Sequence, residues 1–383
     1  MEPFKNLIGP ATVVNAGHHL RRAWPTFDRK RFEAQAATGL EQLEFKARAM
    51  QLADALEATL PDDFPAACEL LEASLAPPLA MDAQGEPLKL GEARDEHGIG
   101  GWALWAVGEF VARRGVADEA AARRGLACLH AVTQRFTAEF AIRPLIQRHP
   151  ALAFDTLGQW VNDPSAHVRR LVSEGSRPRL PWGLRLQALV LDPAPTLPLL
   201  RALQDDPSSY VRRSVANHLN DIAKDHPDLV AGWVRDHLID APDARSALLR
   251  HASRGLIKAG HAPTLAAWGL GSGLQGEATL ALTAKRAAVG GEIGLRVQLR
   301  SSARQPQSLV VDYAVHHVRA NGSASPKVFK GWKLTLAPGE ERTLEKRHSL
   351  KPVTTRTLYP GTHLIDLRVN GVALAEAAFE LKP

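Results

Sequence analysis

A change of hydrophobic period late in the chain, an internal repeat before it and regularly spaced turn signals after it predict an α-solenoid followed by an all-β sandwich. In the first part, Phe45–Leu56 and Trp102–Val107 place apolar residues every three or four positions, the spacing of an amphipathic helix. In the second, the period falls to two over Ala278–Thr283, Leu295–Arg300, Leu309–Val315 and Leu364–Val369. Gly290-Gly291, Asn321-Gly322, Pro338-Gly339, Pro360-Gly361 and Asn370-Gly371 supply the turns between such strands. About seven short strands after residue 276 fit an immunoglobulin-like sandwich better than a barrel, although the Cys pair and buried Trp of antibody domains are missing.

Between the two parts, His261–Gln275 carries no charged side chain and includes Gly269, Gly271 and Gly273, so it reads as a linker. The expected domains are therefore 1–260 and 276–383, joined through 261–275. Gly271–Gly276 also spells GxGxxG. A dinucleotide site needs a strand before that pattern and a helix after it, and here the order is reversed.

The 383 residues are 45% apolar and carry 47 Lys+Arg against 41 Asp+Glu, a globular composition with a formal charge of +6. Cys68 and Cys128 are too few for a disulfide-stapled scaffold or a multi-cysteine zinc site, and the adjacent pairs His18-His19 and His316-His317 read as solvated. No triad, HExxH or P-loop occurs, so neither metal nor cofactor is expected. With no apolar run of the ~18 residues a membrane span needs, and no signal-peptide layout at the start, a cytoplasmic protein with no membrane partner is expected. The charge is unevenly placed. Residues 1–134 carry −5, 135–258 carry +4, and 276–383 carry +7, as expected if the middle and the end share a polyanion.

The repeat sharpens this. Asp163-Pro-Ser-Ala-His-Val-Arg-Arg-Leu-Val-Ser173 recurs 43 residues later as Asp206-Pro-Ser-Ser-Tyr-Val-Arg-Arg-Ser-Val-Ala216, with a weaker copy from Asp243. That period lies in the range of about 40–47 for HEAT repeats. Asp-Pro-Ser starts a helix, and Val168, Leu171 and Val172 form its buried stripe. Arg169, Arg170, Arg212 and Arg213 point off that stripe, where regular spacing suits a row of phosphates; alternatively, each solvates the solenoid or bonds the Asp of its own turn.

Three carboxylates fall on the same helices. Glu174 follows Arg170 at i+4, and Asp221 lies one turn beyond Asn217, the repeat counterpart of Glu174. Glu139 is expected on the preceding helix between apolar neighbours, and Trp182 follows the loop Arg177–Pro181. A carboxylate facing DNA repels phosphate, so it needs a reason to be there. Cleavage of an N-glycosidic bond supplies one, because it passes through an oxocarbenium-like sugar that carboxylates stabilise while one of them orients water. Otherwise Glu174 simply pairs with Arg170, and the other two are surface or capping groups.

Gln134–Pro144, His167–Trp182 and Tyr210–Pro227 together resemble the AlkC-type DNA glycosylases, relatives of the AlkD-type HEAT-like-repeat alkylbase glycosylases. The resemblance implies a HEAT-like α-solenoid followed by an immunoglobulin-like β-sandwich that clamps DNA. It also implies a monomer that removes 3-methyladenine and 3-methylcytosine from duplex DNA without metal, cofactor or extrusion of the nucleotide. Carried over by position, Glu139, Glu174 and Asp221 match acidic residues at the lesion, and Trp182 matches an aromatic beside the sugar. Arg143, Arg169, Arg170, Arg177, Arg179, Arg212, Arg213 and Lys224 are the expected DNA contacts. A non-catalytic DNA-binding solenoid, or a HEAT-type scaffold for protein partners, stays open beside this reading.

Overall fold

The computed structural model describes residues 4–88, 97–270, 273–353 and 357–383. The chain forms two compact units, Met1–Asp225 and His226–Pro383.

The first unit is helical: α1 (Pro10–Ala23), α2 (Arg29–Ala37), α3 (Phe45–Thr59), α4 (Phe64–Ser74), α5 (Ala103–Gly115), α6 (Glu119–Thr133), α7 (Ile142–Arg148), α8 (Pro150–Trp160), α9 (Ala166–Gly175), α10 (Gln187–Leu191), α11 (Leu197–Leu203) and α12 (Ser209–Ile222). The repeat predicts its own helix starts. Asp163 and Asp206 each accept from the backbone N–H two residues on (Ser165 and Ser208, both 2.8 Å), and the Ser208 hydroxyl caps Val211. Val168, Leu171 and Val172 on α9, with Val211 and Val215 on α12, are buried as expected. Gly175 ends α9 tightly against α7, where a Cβ would meet Ile142 Cγ2 at 2.5 Å.

The second unit holds α13 (Pro227–Leu238), α14 (Asp243–Ala252), α15 (Arg254–Ala259) and α16 (Ala262–Ala267), then β1 (Gly276–Leu282), β2 (Arg286–Ala288), β3 (Glu292–Ser301), β4 (Gln307–Val318), β5 (Ala324–Leu336), β6 (Glu341–Ser349), β7 (Gly361–Val369) and β8 (Val372–Lys382). These strands make two sheets, β1-β3-β6 and β2-β8-β7-β4-β5, with Val297, Leu299, Val311 and Leu367 among the side chains buried between them. The alternation of β3 is the cause: its even-spaced residues Ile293, Leu295, Val297 and Leu299 all turn inward.

The stretch read as a linker is not all irregular. It contains α16, while Gly271 and Ser272 lie outside the described residues. Its apolar side chains are the reason. Ile257, Leu265 and Leu270 share a small core with Val310 of β4, and Gly260 meets Gly371 so closely that a Cβ on Gly371 would lie 2.1 Å from Gly260 Cα. The last helices therefore group with the sandwich rather than with the repeats. No helix among the described residues is long and apolar enough to cross a membrane.

Candidate active site

Alternating charges run from the turn before α7 to the turn after α12. Glu139 pairs with Arg170, and Arg170 stands 3.6 Å from Glu174. Glu174 accepts from Arg177 at 2.6 Å, Arg177 reaches Asp221 at 2.8 Å, and Asp221 accepts from Lys224 at 2.8 Å. Each carboxylate thus has a cation on it, which its burial requires: the side chains of Glu139, Glu174 and Asp221 are 12%, 8% and 2% exposed. Glu139 departs from expectation by lying in the turn before α7 rather than on a helix.

Burial pushes the Glu174 carboxyl up, but Arg170, Arg177 and the Ser214 hydroxyl (2.6 Å) outweigh it and hold the group below its ordinary value. Glu174 is therefore ionised at neutral pH. Arg177 balances burial against Glu174 and Asp221 in the same way, and its charge is reinforced.

The loop after α9 presents Trp182, which is 71% exposed and held at φ +63°, a left-handed conformation that costs a bulky residue energy. The loop is pinned on both sides of it. Arg177 reaches Asp221, Arg179 makes a bidentate pair with Asp225 (both 2.7 Å), and Leu186 N–H donates to Pro178 O at 3.2 Å. Arg143 clasps the loop from below. It is completely buried, donates to Leu184 O and to Gly175 O (2.9 Å), and burial with the repulsion of Arg177 brings its pKa down to about 10. Arg143 is therefore no DNA contact: with no exposed surface and its donors spent on carbonyls, it cannot reach a phosphate.

Arg169 and Arg212 are half-buried and partly engaged within the protein. Each donates to the two carbonyls that open its own repeat, Asp163 O and Pro164 O for Arg169, Asp206 O and Pro207 O for Arg212. Arg169 also chains one repeat to the next through Asp206, at 2.6 and 3.0 Å. These bonds fit turn capping, the alternative reading of the repeat. Arg213, Arg179 and Lys224 keep more exposure, Arg213 while holding Glu86 in a bidentate pair.

Three residues that the sequence reading did not single out complete this site. The Tyr210 ring lies under the guanidiniums of Arg170 (5.1 Å) and Arg213 (5.8 Å). Ser214 replaces the apolar Leu171 of the previous repeat and so gives Glu174 a donor; that break in the stripe was readable in the sequence. Glu86 comes from a hairpin whose tip, Gly85, packs on Ser208, and no local pattern announces it.

The geometry can now be set beside known proteins. A family model described as the C-terminal Ig-like domain of uncharacterised protein YhaZ matches residues 277–383. YhaZ of Bacillus subtilis (strain 168) is 30% identical over 373 residues, 97% of each chain. The Pseudomonas fluorescens alkylpurine DNA glycosylase AlkC, solved bound to DNA containing an abasic site analog, matches with a TM-score of 0.87 and 32% identity over 100% of both chains. This chain belongs to the AlkC family. The architecture expected from the sequence, a HEAT-like α-solenoid followed by an immunoglobulin-like β-sandwich, is thereby the AlkC architecture. Within this AlkC-family chain, the three carboxylates singled out from the sequence lie on one line of ion pairs, and Trp182 stands on the loop that two of the cations anchor. Among the described residues, no group of three or more His, Cys, Asp or Glu is placed to hold a metal ion.

Proposed function

We propose that this chain is a DNA glycosylase that hydrolyses the N-glycosidic bond of cationic alkylated bases, 3-methyladenine and 3-methylcytosine, in duplex DNA. It works as a monomer in the bacterial cytosol and reaches the lesion without extruding the nucleotide. The observation that carries this reading is the line Glu139–Arg170–Glu174–Arg177–Asp221: three largely buried carboxylates, each paired with an arginine, beside an aromatic held out in a strained backbone. Full-length likeness to an alkylpurine DNA glycosylase supports the same assignment.

The chemistry follows from the charges. A cationic base leaves C1′ with the bonding electron pair and departs neutral, so no general acid is needed. The sugar becomes oxocarbenium-like, and fixed anions at that point stabilise it without reorganising. Water then adds to C1′ and yields its proton to a carboxylate. Glu174 and Asp221 suit this role because Arg177 holds them side by side. Arg179, Arg213 and Lys224 grip the backbone, and Trp182 packs against the sugar. The test is single-turnover excision of 3-methyladenine by Glu174→Gln and Asp221→Asn; wild-type rates in both would remove the carboxylates from the mechanism.

A further inference from the structure

The hairpin that carries Glu86 is held in place without the Glu86 side chain. Its tip is tight: Asp82 O accepts from Gly85 N–H at 3.0 Å, and Asp82 Oδ1 accepts from the Gln84 and Glu86 N–H groups at 2.8 and 2.9 Å. Gly85 takes φ +70°, and a Cβ there would lie 2.8 Å from Ser208 Cα at the start of α12. Gly85 O accepts from the Ser208 hydroxyl at 2.5 Å, and Gln84 O accepts from Ser209 N–H at 3.2 Å. Before the tip, Leu79 N–H donates to Gln134 O at 2.8 Å, and Leu79 O meets the His167 ring at 3.0 Å.

Glu86 spends both carboxylate oxygens on α12 instead. Arg213 Nη1 and Nη2 donate to Oε1 and Oε2 at 2.8 and 2.6 Å, and the Ser209 hydroxyl donates to Oε1 at 2.5 Å. A guanidinium fork beside a hydroxyl in the first turn of a helix is also a donor set for phosphate. Arg213 stands next to the candidate active site: its guanidinium and that of Arg170 lie over one Tyr210 ring, and Arg170 holds Glu139. The pair is open to water, with Arg213 51% and Glu86 28% exposed, so it adds little to the fold and is readily exchanged. The Arg213 bonds hold the Glu86 carboxyl below its ordinary value, so the acid is charged at neutral pH.

We propose that Glu86 is a specificity-determining residue, an internal competitor that occupies Arg213 until a DNA phosphate displaces it; this rests on the DNA-glycosylase reading. Backbone phosphates are the same at every base pair, so each contact to them strengthens binding to undamaged DNA as much as to a lesion. A carboxylate that competes for one of those contacts weakens binding at every site alike. The choice of where the protein stays is then left to the anionic line that meets the cationic base.

The test uses the full chain, with Glu86→Gln, Arg213→Ala and the two combined, binding undamaged duplex from about 50 to 200 mM salt. Glutamine keeps an oxygen for Ser209, so the melting temperature should hold. Glu86→Gln is expected to bind more tightly and to steepen the log–log salt slope by about one unit. Its advantage over the wild type is then about three- to fourfold larger at the low end of that range than at the high end. In the Arg213→Ala background the same change should leave the slope where it is. An unchanged or shallower slope for Glu86→Gln overturns the proposal. So does an equal steepening in both backgrounds, since Glu86 would then be a bare repelling charge that occupies nothing. Excision of 3-methyladenine is read on the same proteins. A wild type that excises while Glu86→Gln keeps its slope sinks the competitor alone. A steeper slope in a protein that excises nothing keeps the competitor and sinks the glycosylase.

Discussion

Replacing Glu174 with Gln removes one negative charge from the middle of the ion-pair line and keeps the side chain's shape. The carboxylate accepts from Arg177 and Ser214, both at 2.6 Å, and stands 3.6 Å from Arg170. Glutamine can keep the Arg177 bond through its oxygen, and the Ser214 hydroxyl can turn to accept from its amide. Stripping a buried pair of one partner commonly costs about 3–5 kcal/mol. Here Arg170 retains Glu139 and Arg177 retains Asp221, so the loss is nearer that of charge-assisted hydrogen bonds, about 1.5–3 kcal/mol. The rate should fall further than stability explains, by about 10²–10³, because the missing charge is one that would face the developing sugar cation. Undamaged duplex should bind as well or better, since the change leaves Arg170 and Arg177 with positive charge to spare. The assay is alkali-revealed strand cleavage at 3-methyladenine under single turnover, well below the melting temperature, beside duplex binding. Wild-type excision, or a rate that falls only in step with binding and folding, would show that Glu174 is an element of structure and nothing more.

Other perturbations separate the remaining roles. Trp182→Gly relieves a left-handed backbone and gives up little burial, so stability should hold or rise by about 1 kcal/mol while excision drops; melting and excision on the same sample check it. Arg169→Ala should lower the melting temperature and leave the salt slope of duplex binding alone, whereas Arg179→Ala and Lys224→Ala should each remove about one unit of slope. His218 is buried and neutral, its pKa brought down to about 3 by burial although its ring donates to Ser173 O. With an unfolded value near 6.5, the unfolded chain takes up the extra proton as pH falls. Stability is therefore full above about 6.5 and declines by about 1.4 kcal/mol per pH unit below it, a slope that His218→Gln should abolish in acid melts.

Much of this molecule was legible in one dimension because the relevant physics is local. The period-3.6 stripe of Val168, Leu171 and Val172, the Asp-Pro-Ser starts and the Asn-Gly turns each act over a few residues, so helices, strands and the repeat follow directly. That Glu174 and Asp221 lie on neighbouring repeat helices was legible too, from the 43-residue offset. What the repeat could not tell is where each arginine ends up. Arg169, Arg170, Arg212 and Arg213 look alike in sequence, yet one locks two repeats together, one holds Glu139, one caps its own turn and one holds Glu86 from a distant hairpin. A long flexible cation takes whichever anion the packing places within reach, and that anion is often dozens of residues away: Arg143 was swallowed by carbonyls of a loop it precedes by more than thirty residues. The line of charge through Glu174, Arg177 and Asp221 exists only because α9 and α12 lie side by side, and the register of β5 against β4 shifts only where Gly331 leaves room for Val311 O. Secondary structure is set by neighbours along the chain, whereas the pairing and exposure of charge are set by neighbours in space.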